Sequence, residues 1–366
     1  MEISKSEDKI IGKRKRSLDL EKDELELKKP KDDIDNSVKE KASSKTEAKD
    51  KENSEPGKED SSKLEHGKEG SSEAARENST EQSKAGEFFI EKLLSDALNI
   101  VRKEIEVENT AVEKAYNEIK TAFKSSQFTK LNFNNSDYLL TYFSIYAAFN
   151  TKLTYNRFLD AFKNCKQLQE TVKKQNLNII SLGGGPGTDI IGFCSALQEF
   201  LTQEVKNYCS TINISVADIF KRWASFYNVI EFLIREGCYG NVSSLFKSKI
   251  VSSSFMTVDL VSEEQPCKYT YDLGTADIVL LVRVLDILNF QETKPENLIK
   301  KIISGMRSGA LLLVIDSVIK NYNDSEVTQV YSSNLEEFTR QVNMEISFPL
   351  YPWKSSSAQS FILQKK

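Results

Sequence analysis

Histidine is nearly missing from this chain of 366 residues: the only one is His66, and none follows it. Histidine-based catalytic triads and histidine-containing zinc sites are therefore excluded from everything downstream. Cysteine is sparse as well. Cys165, Cys194, Cys209, Cys238 and Cys267 form no Cys-x-x-Cys pair, and with no secretory signal at the start they are expected to be reduced, intracellular thiols. No apolar run reaches the roughly 18 residues that a membrane span requires, and the N-terminus is charged rather than apolar. A soluble chain with neither a membrane nor a metal partner is expected.

Residues 1–86 lack almost all aromatic and most aliphatic side chains and are built from Lys, Glu, Asp, Ser and Asn. Such a stretch cannot bury enough apolar surface to offset its chain entropy, so a disordered, charged tail is predicted there. By count it holds 20 of the 50 Lys and Arg and 23 of the 54 Asp and Glu, leaving 30 against 31 in the remainder. A near-neutral remainder argues against nucleic-acid binding through a broad positive field and leaves room for a local basic groove. Within the tail, Lys13-Arg14-Lys15-Arg16 and Lys28-Lys29-Pro30-Lys31 are separated by eleven residues. The pattern resembles a bipartite nuclear localisation signal read by an importin groove, although basic clusters also arise by chance in a Lys-rich tail. The serine pairs at 43–44, 61–62 and 71–72 suit a solvated linker.

From Glu87 to about Gln175 the sequence contains no Gly or Pro, and Phe88, Phe89, Leu93, Leu94, Leu98 and Val101 recur at three- and four-residue steps. A helical cap over residues 87–175 is the natural reading. Its segment Tyr138 to Phe149 carries aromatics on more than one face. A helix packed into the core explains that better than a substrate platform does.

After Gln175 short apolar runs alternate with helical stretches, the mark of βαβ units and a parallel sheet. The run Leu177–Leu182 ends in Gly183-Gly-Gly-Pro-Gly-Thr-Asp189, and a helical pattern follows from Ile190 to Phe200. Strand, glycine turn and helix stand in the order that a nucleotide-like ligand needs, because glycine permits close backbone approach and the helix N-terminus offers free N–H groups. The dinucleotide fingerprint fails, since Thr188 replaces its third small residue, and no Gly-Lys-Ser/Thr closes a P-loop. The spacing Gly-x-Gly-x-Gly at 183, 185 and 187 instead resembles motif I of the class I S-adenosylmethionine-dependent methyltransferases.

Later segments extend that resemblance. Ile212–Ala217 ends in Asp218, Ile250–Val258 ends in Asp259, Ala276–Asp286 resembles the family's fourth strand, and Ala310–Ile315 ends in Asp316. A helix around Leu298–Met306 precedes the fifth strand, and Ser360–Gln364 resembles the last, antiparallel one. The resemblance implies a doubly wound, Rossmann-like α/β domain over residues 176–366 with a mostly parallel seven-stranded sheet. It implies S-adenosylmethionine as cofactor, held by Gly183, Gly184, Gly185 and Gly187, with Asp218 on the ribose hydroxyls and Asp259 near the adenine amino group. A carboxylate offers the acceptors that two vicinal hydroxyls want.

The chain departs from the family twice. Ser181 stands where an acid usually precedes motif I, and Asp218 follows Gly187 by 31 residues, a long first crossover. Several residues carry two readings. Asp189 is either a first-turn acid favoured by the helix dipole or a cofactor contact. Trp223 either flanks the adenine or packs helix on sheet. Asp316, at a strand end, reads as a turn residue more readily than as a catalyst. The residues after the fourth strand normally face the sulfonium; here Arg283 and Asp286 are the catalytic candidates, either orienting an acceptor or pairing with each other.

Methyl transfer from a sulfonium needs positioning and desolvation more than a base, which suits a histidine-free core. The Asn/Asp-Pro-Pro-Tyr/Phe signature of exocyclic amine methylation is absent, and no Cys lies in the loop after the fourth strand. The whole region also resembles, loosely, a eukaryotic group that includes fungal ribosomal-RNA uridine methyltransferases. Three functions stay open. One is an RNA methyltransferase, favoured by the tail and its nuclear address. The others are a methyltransferase of a protein or small molecule, and a catalytically silent S-adenosylmethionine-binding module.

Overall fold

The computed structural model describes residues 72–125, 131–203, 209–289, 294–317, 322, 324–333, 336–338 and 356–366. Residues 1–71, with both basic clusters and His66, lie outside the described residues. The first helix, α1 (Ser72–Ile105), begins well upstream of Glu87 and runs through Gly86. Residues 72–86 have little to bury, but they include Ala74, Ala75, Arg76, Glu77 and Lys84, all strong helix formers. Extending a helix from a fixed end costs far less than nucleating one. Downstream, Ile90, Leu93, Leu94, Ala97, Leu98 and Val101 are buried at three- and four-residue steps, whereas Phe88, counted into the same stripe from sequence, is 61% exposed.

Three more helices complete the N-terminal region: α2 (Asn109–Lys124), α3 (Ser136–Asn164) and α4 (Lys166–Thr171). The Asn135 side chain caps α3 by accepting the Asp137 N–H at 2.9 Å. Helix α3 is buried on several faces, and its close partner is α5 (Thr188–Gln203), the first crossover helix. Gly192 makes that approach feasible, since a Cβ there would stand 2.7 Å from Thr151 O and 2.9 Å from Tyr155 N. The Tyr155 hydroxyl also donates to the buried Glu199 carboxylate across the two helices.

The sheet is built from β1 (Asn176–Leu182), β2 (Thr211–Asp218), β3 (Ile250–Thr257), β4 (Ile278–Val282), β5 (Leu311–Asp316), β6 (Val327–Ser332), β7 (Glu336–Phe338) and β8 (Ser356–Lys365). Its order is β3-β2-β1-β4-β5-β8-β6, with the three-residue β7 pairing β8 off this path. Strands β1 to β5 pair in parallel, while β8 runs antiparallel to β5, β6 and β7. The architecture is thus the expected α/β, Rossmann-like one. Between β2 and β5 the connections are α6 (Trp223–Glu236), α7 (Gly240–Ser248), α8 (Cys267–Thr275), α9 (Leu285–Asn289) and α10 (Pro295–Gly305).

Strand β4 is apolar throughout, and β5 is apolar up to its last residue, Asp316, because both faces are covered. Alternate residues serve two cores: Leu177, Ile179, Ile212 and Ile214 face the N-terminal helices, α5 and α6, while Ile180, Leu182 and Val279 face α8 and α10. Strand order reverses between β1 and β4, and at such a switch point the C-terminal strand ends open a crevice. No described helix is long and apolar enough to cross a membrane.

Candidate functional site

A cavity of roughly 350 Å³ occupies that crevice, within the range of small-molecule sites. Its floor is the turn after β1. Gly183 and Gly184 donate their N–H groups to Ala217 O at 2.7 and 3.2 Å, which ties the turn to β2. A Cβ on Gly183 would meet Val284 Cγ2 at 2.5 Å. Gly185 has φ +51°, and a Cβ there would point toward Trp223 and Asp218 with nothing nearer than 3.7 Å, so a ligand can approach its backbone. Gly187 stands behind the wall against Tyr227 and accepts the Ile191 N–H at 3.0 Å, starting α5.

Asp218 ends β2 with one oxygen accepting the Gly185 N–H and the other the Phe220 N–H, both at 2.9 Å. Burial raises its carboxyl to about 6, against the lowering effect of those two bonds. Each oxygen keeps a second lone pair for a ligand. Beyond it, Ile219, Val258, Leu260 and Val261 line an apolar slot beside the exposed Asp259, whose carboxylate accepts the Val261 N–H at 3.0 Å. Such a slot suits a flat ring with a polar edge.

The acid missing at position 181 is present by another route. Asp189, 3% exposed and on the cavity wall, accepts the Ser181 hydroxyl, and its other oxygen accepts the Ile190 N–H at 2.9 Å. Burial raises this carboxyl to about 6. A carboxylate so placed, at the start of α5 and below the glycine turn, suits a cationic group such as the ammonium of a methionine tail.

Arg283 follows β4 with φ +58°, a left-handed conformation uncommon for a residue with a side chain. Its N–H is held by Ile315 O at 2.9 Å, and its guanidinium pairs with Asp286 at 2.9 Å. Arg283 lines the cavity; Asp286 sits behind it on α9. The two candidates therefore pair with each other, and only one of them reaches the wall.

The opposite wall comes from the N-terminal region, of which the sequence singled out the segment Tyr138–Phe149 but not Phe133, in the turn before α3, or Asn150. Phe133, Tyr142 and Asn150 line the cavity with Phe220 and Trp223. Tyr142 stands edge-on to Phe133, centroids 5.4 Å apart, and to Trp223 at 6.1 Å. Burial raises its phenol to about 12, with Arg283 acting in the opposite sense and Asp218 and Asp286 reinforcing it. Within the segment Tyr138–Phe149, Phe143 is fully buried in the core while Tyr142 faces the cavity. Trp223 likewise lines the cavity and packs, 4% exposed. Among the described residues, no group of three or more His, Cys, Asp or Glu is placed to hold a metal.

The glycine turn, the acid ending β2, the apolar slot and Asp189 together fit S-adenosylmethionine part by part. Comparison with solved structures finds methyltransferase folds. The plantazolicin methyltransferase BpumL in complex with SAH is 10% identical, with a TM-score of 0.33, over 70% of this chain and 99% of that one. Coclaurine N-methyltransferase bound to N-methylheliamine and SAH is 14% identical, with a TM-score of 0.27, over 71% and 65%. TrmN from Thermus thermophilus is 10% identical, with a TM-score of 0.29, over 54% and 48%. At such values these likenesses carry no argument about the acceptor. No curated protein matches the chain. A family model described as "Putative SAM-dependent methyltransferase" matches residues 99–335, more than half of the sequence, and the chain belongs to that family.

Proposed function

We propose that this chain transfers the methyl group of S-adenosylmethionine to a base in RNA. The observation that carries the reading is the aromatic wall of Phe133, Tyr142, Phe220 and Trp223 facing Arg283 across the cofactor cavity. Unstacked RNA bases are held chiefly by stacking on aromatic rings and guanidinium planes, each stacked base being worth about 1–3 kcal/mol. This local device needs no broad positive field, so it is compatible with the near-neutral folded region.

S-adenosylmethionine supplies an activated methyl on a sulfonium, and the chain's own groups bind, orient and exclude water. Gly183, Gly184, Gly185 and Gly187 shape the floor, Asp218 receives the ribose hydroxyls, Asp259 the adenine edge, and Asp189 the ammonium. Arg283 and the aromatic wall align the acceptor for in-line displacement. An importin partner and a nuclear location are part of the same reading, resting on Lys13–Arg16 and Lys28–Lys31. Replacing Lys13–Arg16 with Ala should move a fluorescent fusion to the cytoplasm.

The test is methyl transfer from radiolabelled S-adenosylmethionine to RNA purified from cells lacking the gene, followed by mass spectrometry of the nucleosides. A single methylated nucleoside, restored by the wild-type protein, is expected. Label appearing only in protein or in the small-molecule pool would overturn the RNA assignment. Tight cofactor binding with no transfer to any pool would identify a silent binding module.

A further inference from the structure

Behind Arg283 lies a second carboxyl group that the cofactor reading leaves unused. Asp316, the last residue of β5, is fully buried. One of its oxygens accepts the Leu285 N–H at 2.9 Å and the other the Ser317 N–H at 2.7 Å. The Ser317 hydroxyl donates to Asp286 Oδ1 at 2.5 Å, so one serine ties both carboxyl groups together. Asp286 and Asp316 also repel each other electrostatically. On its far side Asp286 meets Arg283, which lines the cavity, and from α3 Tyr142 faces both Arg283 and Asp286. The charged and titratable groups around the pair are thus Arg283 and Tyr142. One cation cannot neutralise two carboxylates, and two carboxylates in contact take up a proton between them.

The geometry points to Asp286 and Asp316 as a proton-accepting pair for the transfer reaction, with Asp286 as the group nearer the acceptor and Asp316 as the positioning residue that holds the proton. The inference rests on the methyl-transfer reading above. In the step, the acceptor atom's lone pair forms the new bond to the methyl carbon while the S–CH3 bonding pair leaves with sulfur. The N–H or O–H proton that the acceptor sheds passes through water around Arg283 to the doubly ionised pair, which lies behind the cavity wall, and leaves a singly protonated pair beside Arg283. Burial and repulsion from Asp286 raise the Asp316 carboxyl to about 7, the range in which a general base works best near neutral pH. No histidine is found among the described residues, and the pair supplies a group that titrates where histidine would. The strained backbone of Arg283 is consistent with a demand for that arrangement.

Two measurements test this. The first is a carbon-13 NMR titration of protein labelled at the aspartate γ-carbons, with S-adenosylhomocysteine present, and it needs no acceptor. One carboxyl resonance should titrate near pH 7 and lose that step in Asp286→Asn and in Asp316→Asn. Asp189 and Asp218 are raised only to about 6, so absence of any aspartate titration near pH 7, or one that persists unchanged in both variants, would overturn the pair. The second is single-turnover methyl transfer to the RNA described above. The wild-type rate should rise about tenfold per pH unit up to roughly 7 and then level, and Asp286→Asn should lower it on the order of a hundredfold and flatten the profile. Should Asp316→Asn fail to fold, Ser317→Ala, which removes only the bridging hydroxyl, should shift the inflection. A profile unchanged in all variants that fold would overturn the assignment. Absence of transfer by wild type alongside a titration near pH 7 would count against the RNA reading and leave the pair standing.

Discussion

The Ser181 hydroxyl donates to the buried Asp189 carboxylate, so the charge that the glycine turn lacks on its strand side is supplied from the first turn of α5. Asp189 and Asp218 both lie on the cavity wall, and burial raises each to about 6 from an ordinary value near 4. Raised carboxyls favour the fold in their neutral form. Their contribution is therefore greatest below about pH 4, falls as pH rises from about 4 to 6, and is level above that. The loss is about 3 kcal/mol per group at most.

A cationic ligand reverses this preference, since it binds the ionised form. Binding of S-adenosylmethionine near pH 6 should therefore release protons, visible as calorimetric heats that differ between buffers of unlike ionisation enthalpy. Asp189→Asn should reduce that release and flatten the fall in stability between about pH 4 and 6. Proton release equal to wild type in the Asn variant would remove Asp189 from the cofactor site.

Gly192 sets the distance between α3 and α5. A valine there must displace the backbone around Thr151 and Tyr155, and overpacking of this kind costs about 1–3 kcal/mol. Gly192→Val should lower the urea midpoint accordingly. A wild-type midpoint would show that the helices separate at no cost.

Tyr142→Ala should lower kcat/KM for RNA by about ten- to a hundredfold, the worth of one stacked base. Cofactor affinity should change far less, and Tyr142→Phe, which keeps the ring, should stay close to wild type. Equal losses in cofactor and RNA affinity would make Tyr142 part of the cofactor wall alone.

Much of this was legible in the sequence because burial on both faces leaves continuous apolar runs. Ile179-Ile180, Leu280-Leu281 and Leu312-Leu313 announce β1, β4 and β5 in that way, and Gly183 to Gly187 announce the turn. Strand β6 gave no such signal, because only Val327 of its six residues is buried and the rest are exposed or half-buried without alternation. Helices α7 and α8 are nine residues each, and their buried stripes, Val242, Leu245 and Phe246 in one and Tyr269 and Leu273 in the other, are too short to stand out from the sequence. Sequence left Asp189 with two readings, a first-turn acid or a cofactor contact, and only the fold shows that it lies on the cavity wall and accepts the Ser181 hydroxyl. Tyr142 and Phe133 reach the site only through packing of the N-terminal helices over the sheet, a relationship that no local pattern encodes. Asp316 looked like a strand-end turn residue because its partners, Leu285 and Asp286, come from another strand's loop.

Calorimetric titration of the whole chain with S-adenosylmethionine, wild type beside Asp218→Ala and Gly185→Val, tests the placement of the cofactor most directly. One site per chain is predicted. Asp218→Ala should weaken it by about 1.5–3 kcal/mol, roughly ten- to a hundredfold, through loss of the charged acceptor for the ribose. Gly185→Val should weaken it further, because a β-branched side chain is strained at φ +51° and fills the approach between Asp218 and Trp223. Wild-type affinity in both folded variants would contradict the placement of the cofactor between Gly185 and Asp218, and with it the central claim.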